Sequence, residues 1–131
     1  MCIFSFGFWG YMLIEILWRG YTHITMGITG GICLVGLFTV ERVCCKLSIV
    51  LKSITGALLI TAFEFVAGYI VNIKLGYGVW DYSGMKFNFM GQICALYTFF
   101  WFLLCLVFFY FFRILVSKGV LSSKKALINK K

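Results

Sequence analysis

The sequence predicts an all-α polytopic membrane protein: a bundle of four transmembrane helices with a structured outer loop between the third and fourth. Three observations predict it. The 131 residues are 63% hydrophobic, 20% aromatic and only 12% charged, with no proline, and the mean hydropathy is +1.01. Soluble domains are far more polar. Four apolar runs approach the roughly 17–25 residues that a helix needs to cross the hydrocarbon core. The Lys and Arg residues gather at the ends of those runs and in the C-terminal segment. Period-2 alternation, the mark of a membrane barrel, is absent. Backbone groups cannot be left unpaired in lipid, so the runs are read as helices.

The first run, Cys2–Trp18, is short and broken by Glu15. It lacks the basic start and small-residue cleavage site of a signal peptide, so it is read as a span. The second, Ile24–Val40, is rich in glycine. Gly27 and Gly31, with Gly30 beside them, make a GxxxG face. Such a face implies close helix packing, within the chain or as a homo-oligomer through Gly27/Gly31. A phosphate-binding loop is excluded, because no Lys-Ser/Thr follows and no strand precedes. The third run, Ile54–Ile73, is interrupted by Glu64. Ala57, Thr61, Glu64 and Gly68 share one helical face by spacing. That face is small and polar, so it should turn into the bundle. The fourth run, Ile93–Val116, is dense in Phe and Leu. Residues 1–116 are thus read as the transmembrane domain and 117–131 as a basic cytoplasmic tail on the anionic leaflet.

Orientation follows from charge. With the N-terminus inside, the inner loop and tail carry Arg42, Lys46, Lys52, Arg113, Lys118, Lys124, Lys125, Lys130 and Lys131, nine of the twelve basic residues. Arg19, Lys74 and Lys86 lie outside. This is a positive-inside bias and predicts a multi-pass protein of the cell membrane with both termini cytoplasmic. Lys52 and Arg113, at inner ends, should snorkel to the head groups. The formal net charge of +8 is accounted for by these flanks, which argues against a nucleic-acid partner. Membrane lipids are the partners it implies.

The six cysteines, Cys2, Cys33, Cys44, Cys45, Cys94 and Cys105, form no CxxC pair. They suggest neither a disulfide framework nor a metal site. His23 has no ligand-spaced partners and is read as an interfacial hydrogen-bonding residue. No cofactor motif and no catalytic residue is identified.

The polar features converge on the outer side. The island Val79–Cys94, VWDYSGMKFNFMGQIC, concentrates Trp80, Asp81, Ser83, Asn88 and Gln92 between apolar runs. Its polar members are read either as a recognition loop or as a hydrogen-bonded plug, with the plug slightly favoured. Trp18, Tyr21, Tyr77, Trp80 and Tyr82 suit an aromatic belt. Glu15 and Arg19, spaced i, i+4, can pair locally at the rim. Asp81 should seek Arg19 first, and Asn88 or Gln92 second. Glu64 lies nine residues before Ile73, roughly 14 Å into the bilayer at about 1.5 Å per residue. It is either a proton, cation or substrate site, or a neutral acid in an interhelical hydrogen bond. The candidate ligand-binding set is Glu64, Asp81, Asn88, Gln92, Glu15, Arg19 and Trp80, lining a polar outward-facing cavity with Glu64 as its floor.

WDYS at 80–83, Phe87-Asn88 and GQIC at 91–94 together resemble the ABC-transporter type IV membrane family, in its short, permease-named, mostly Gram-positive bacterial form. IEILWRG at 14–20, TMGITGGIC at 25–33 and EFVAGYIVNIKLG at 64–76 extend the resemblance to about Val116. The family's usual proline before the Phe-Asn pair is replaced by Lys86, which predicts a less rigid outer loop. Longer members carry a Gly-Pro-rich segment that this chain lacks. The resemblance implies a transport-related component working with a separate ATPase or other membrane subunit, since no Walker motif is present. Two other readings stand beside it. One is a small membrane-embedded enzyme acting on a lipid or cell-wall precursor, weakened by the lack of a nucleophile–base pair or metal set. The other is a structural accessory membrane protein.

Overall fold

A computed structural model describes residues 2–128, with side chains through residue 119. Lys130 and Lys131 of the predicted tail, and the side chains of Lys124 and Lys125, lie outside the described residues. Four helices form: α1 (Cys2–Arg19), α2 (Ile24–Val43), α3 (Ile49–Gly68) and α4 (Ala95–Ile128). A π-helical turn, Tyr69–Lys74, extends α3. Two short antiparallel strands, β1 (Asn88–Phe89) and β2 (Ile93–Cys94), pair Asn88 with Cys94 and Phe89 with Ile93.

Caps set the boundaries that hydropathy alone misses. The predicted third span begins at Ile54, but α3 starts five residues earlier because the Ser48 side chain accepts from Leu51 N–H at 3.3 Å. Such a cap satisfies a donor that the first helical turn cannot. His23 likewise caps α2, its Nδ1 accepting from Thr25 N–H at 3.3 Å. The fourth helix begins only at Ala95, because Ile93 and Cys94 are taken by the strand pair.

Among the described residues, three helical stretches are long and apolar enough to cross a membrane: Ile24–Val43, Ile49–Lys74 and Ala95–Gly119. The first helix falls just short of that group. Its 18 residues make about 27 Å of rise, and Glu15 and Arg19 load its last turns.

Neighbours in sequence are neighbours in space: α1 packs on α2, α2 on α3 and α3 on α4. One end of the bundle, the loop end, gathers the close of α1, the start of α2, the π-turn and the segment 75–94. The other, the hairpin end, holds the α2–α3 connection. A core of Cys33, Leu37, Val40, Ile60, Cys105 and Phe109 joins α2, α3 and α4. A second, of Met26, Val71, Val79 and Trp80, lies under the loop.

The glycine face of α2 is filled by α1. A Cβ at Gly27 would meet Phe8 and Met12, one at Gly31 would meet Phe4, and one at Gly30 would meet Tyr11 and Gly7. The within-chain alternative therefore describes this face. A homo-oligomer through Gly27/Gly31 would first have to displace α1.

Candidate functional site

Glu64 is 2% exposed and held from two sides. The Tyr11 hydroxyl of α1 donates to its Oε1 at 3.1 Å, and the Trp101 indole N–H of α4 donates to its Oε2 at 2.8 Å. The Tyr11 and Trp101 rings themselves meet at 5.7 Å between centroids. One carboxyl on α3 thus joins the two helices that are furthest apart in the packing order. The predicted face continues around it. Ala57 and Gly68 are buried, and the Thr61 hydroxyl bonds Thr98 of α4 at 3.1 Å.

Toward the loop end, the α1–α4 seam opens into a cavity of about 260 Å³. From α1 it takes Glu15, Trp18 and Arg19; from α4 it takes Tyr97, Phe100 and Leu104; Tyr82 lines it from the loop. Tyr11 and Trp101 also line it, with Glu64 binding both from behind. The walls are therefore largely aromatic and apolar, with a single ion pair. Glu15 is buried, accepting from Arg19 at 3.2 Å and from the Thr22 hydroxyl at 2.9 Å.

Of the seven residues predicted to surround a cavity, only Glu15 and Arg19 line this one. Glu64 lies behind it, bonded to Tyr11 and Trp101, and Asp81, Asn88, Gln92 and Trp80 spend their hydrogen bonds on folding the loop. Asn72, on the π-turn, is the centre. Its Nδ2 donates to Trp80 O at 3.0 Å and to Gln92 Oε1 at 2.8 Å, and its Oδ1 accepts from Val79 N–H at 2.7 Å. The Trp80 indole donates to Gln92 O at 3.0 Å. Trp80 is buried, not a belt residue, because this bond and the small Gly68 beside it draw the ring into the bundle. Asn88 donates to Ser83 O and Met85 O and accepts from Gly91 N–H. These bonds hold a loop in which Phe87 and Met90 adopt left-handed backbone, φ 55° and 52°. Such conformations cost on the order of 1–3 kcal/mol each, which the Asn88 bonds on either side of them help to offset.

The expected Asp81–Arg19 pair does not form. Asp81 is fully solvated, and its carboxylate accepts from Ser83 N–H and Ser83 Oγ–H, both at 2.8 Å. The Ser83 backbone N–H, then its hydroxyl, hold the carboxyl below its usual range. Gly91 makes this turn fit. A Cβ there would lie 2.8 Å from Asp81 Oδ1, and its φ of +69° suits glycine. Arg19 does tie α1 to the loop, but through the Val79 carbonyl at 2.6 Å, with its guanidinium 4.7 Å from the Tyr21 ring centroid. A backbone carbonyl was an acceptor that charge matching could not suggest. Tyr82 stacks on Tyr97 at 4.7 Å, and burial pushes its phenol above the ordinary value.

A family model described as Putative ABC-transporter type IV matches residues 1–130. The chain belongs to that family. It is accordingly a membrane protein related to ABC transporters, in keeping with its three membrane-length apolar helices. No curated protein and no solved structure matches it.

Sequence reasoning missed Tyr11, Trp101 and Asn72 as partners. The signal for Asn72 is a polar residue at the end of an apolar run. Tyr11 and Trp101 gave no signal of their own among the Phe, Trp and Tyr residues of this chain.

Proposed function

We propose that this protein is a permease-like membrane component that binds an amphipathic ligand in the α1–α4 seam. The observation that carries the reading is the cavity itself: aromatic and aliphatic walls with one buried ion pair at the rim. Pockets that orient small molecules combine these two features. Trp18, Phe100 and Leu104 would cover an apolar portion, and Arg19 and Glu15 would meet a polar head. Glu64 would act as a positioning residue, fixing the Tyr11 and Trp101 rings. Asp81, Asn88, Gln92 and Trp80 would shape the mouth by folding the loop rather than by touching ligand.

In this reading all four helices cross the bilayer within residues 1–116. The loop end faces out, and both termini and the basic segment 117–131 face the cytoplasm. The nine-to-three division of basic residues supports that sidedness. The first helix is about 3 Å shorter than a hydrocarbon core of about 30 Å, a mismatch that Arg19 can relieve by snorkelling. Transport would draw on a separate ATPase, because the sequence carries no nucleotide-binding motif.

Leu104→Trp should fill the cavity while leaving Glu64 and its partners intact. The full chain, purified in mild detergent, is extracted and its co-purifying small molecules are identified by mass spectrometry. Wild type should retain an amphipathic molecule that Leu104→Trp loses. Equal retention by both would remove the seam as the binding site. Labelling of a cysteine introduced at Ser83 only from the cytoplasmic side, in a chain cleared of its exposed Cys2 and Cys45, would reverse the orientation.

A further inference from the structure

A second cavity, about 460 Å³, opens at the hairpin end, some distance along the bundle from the seam. It is bounded by the last turn of α2, the α2–α3 connection, the first turn of α3 and the middle of α4. Its chemistry is different. Lys52 was expected to snorkel outward, but its side chain is only 8% exposed, and its ammonium makes an ion pair with Glu41 at 2.8 Å. That contact is the side chain's one hydrogen bond among the described residues. A lysine ammonium has three N–H groups to give, and a buried one left with unused donors is costly. The Arg113 side chain, which also lines the cavity, makes no hydrogen bond or ion pair among the described residues. Two cations against one carboxylate leave a net charge of +1 on the walls.

The start of α3 adds to the field. Ser48 covers Leu51 N–H, but Ile49 and Val50 precede the first intrahelical bond, and the helix dipole is positive here. Phe109, Phe112 and Val116 make the remaining walls apolar. Cationic donors beside an apolar wall match a phosphate ester carried on a hydrophobic body.

We infer that this cavity binds a phosphate ester, with Arg113 and Lys52 on the phosphate oxygens and the α4 wall against an attached acyl chain. The guanidinium supplies paired donors to two oxygens, and Lys52 is shared between the phosphate and Glu41. A monoanionic diester balances the wall charge. The site is separate from the α1–α4 seam, so it stands or falls independently of the reading given above.

The test uses the full chain, delipidated in detergent, titrated by native mass spectrometry with short-chain phosphatidylglycerol, with the matching uncharged diacylglycerol, and with inorganic phosphate. Phosphatidylglycerol should bind and diacylglycerol should not. Arg113→Gln, at an exposed position that the fold does not need, should weaken phosphatidylglycerol binding about fivefold or more, in line with the loss of one lipid-facing cation. Lys118→Gln, a nearby cation outside the cavity, should change it less than about twofold. Glu41→Gln removes the competing carboxylate and should tighten binding. Leu104→Trp should bind as wild type does. If inorganic phosphate competes at millimolar levels, the head group alone is the ligand; if only the lipid binds, the acyl wall contributes. Equal binding of diacylglycerol, or equal weakening by Arg113→Gln and Lys118→Gln, would overturn the site in favour of diffuse surface charge.

Discussion

The two seams of α1 are built on opposite principles. Toward α2, the helices meet backbone to backbone. Gly7 lies against Gly30, and Phe4, Phe8 and Tyr11 fill the groove left by Gly31, Gly27 and Gly30. Toward α4, the residues that line the seam are large: Tyr11, Trp18, Tyr97, Phe100 and Trp101 among them. Aromatic rings hold the helices apart, and the gap is bridged where Glu64 takes a hydrogen bond from each side. In lipid there is no hydrophobic drive between helices, so close packing or interhelical hydrogen bonding must hold them together. The first seam uses packing, with close approach at Gly7, Gly27, Gly30 and Gly31. The second uses hydrogen bonds and leaves a cavity of about 260 Å³. The contrast teaches that a binding space inside a small bundle is obtained by withholding small residues from one interface and anchoring it at a point instead.

The largest effect should come from breaking the packed seam. Gly30→Val adds a branched side chain where even a Cβ collides with Tyr11. The Gly7 carbonyl and the first atoms of the Tyr11 side chain are the neighbours, so little can give. Overpacking of this kind costs about 1–3 kcal/mol and sometimes more, and here α1 must lift away. Thermal unfolding in detergent should drop sharply, and disulfide trapping between cysteines placed at Phe4 and Leu34 should be lost. A melting temperature equal to that of wild type would show that α1 is not held by the glycine face.

Breaking the bridged seam should cost less and separate chemistry from shape. Glu64→Leu leaves the Tyr11 hydroxyl and the Trp101 N–H without an acceptor, a penalty of about 1–3 kcal/mol for each buried group left unpaired. Glu64→Gln keeps an acceptor for Trp101 and a donor for the Tyr11 oxygen, so it should melt close to wild type. A Tyr11→Phe, Trp101→Phe pair in the Leu background should recover part of the loss, because no donor is then orphaned. Equal melting of the Gln and Leu variants would mean that Glu64 contributes only volume.

How far these seams were legible from the sequence follows from the same contrast. The glycine face has a spacing signature, so Gly27, Gly30 and Gly31 announce close packing before any partner is known. Glu64 announces itself through its cost in an apolar run, and its Ala57–Thr61–Gly68 face indicated that it would turn inward, as it does. Its partners carry no such mark, because a tyrosine and a tryptophan in an aromatic-rich helix look the same whether they face lipid or a carboxylate. Apolar runs located the four helices but not their ends, which depend on the Ser48 and His23 caps and on the Asn88–Cys94 strand pair. Charge matching paired Asp81 with Arg19 and passed over Glu41 with Lys52. It failed because Asp81 reaches its own turn's Ser83 at less entropic cost than a side chain on another helix, while Lys52 is buried at the hairpin end within reach of Glu41.

That failure yields the smallest and most local prediction. Asp81 accepts from Ser83 N–H and Oγ–H and has no contact with Arg19. Its folded carboxyl titrates below its ordinary value because Ser83 favours the charged form. The sign follows: the turn is fully supported above the unfolded carboxylate value of about 3.9, and the support is lost as pH falls through the lower folded value. Only the loop should respond, since the group is at the surface. The Ser83 amide resonance should therefore shift with a midpoint below about 3.9, and Asp81→Asn should abolish that titration while leaving the melting temperature nearly unchanged. Arg19→Ala should lower stability by releasing Glu15 and the Val79 carbonyl, and it should add independently to Asp81→Ala, because residues without shared partners do not couple. A coupling above about 0.5 kcal/mol between the two would mean that the loop rearranges in the membrane to bring Asp81 onto Arg19. The cavity mouth would then be closed by an ion pair, where the present geometry closes it with a carbonyl.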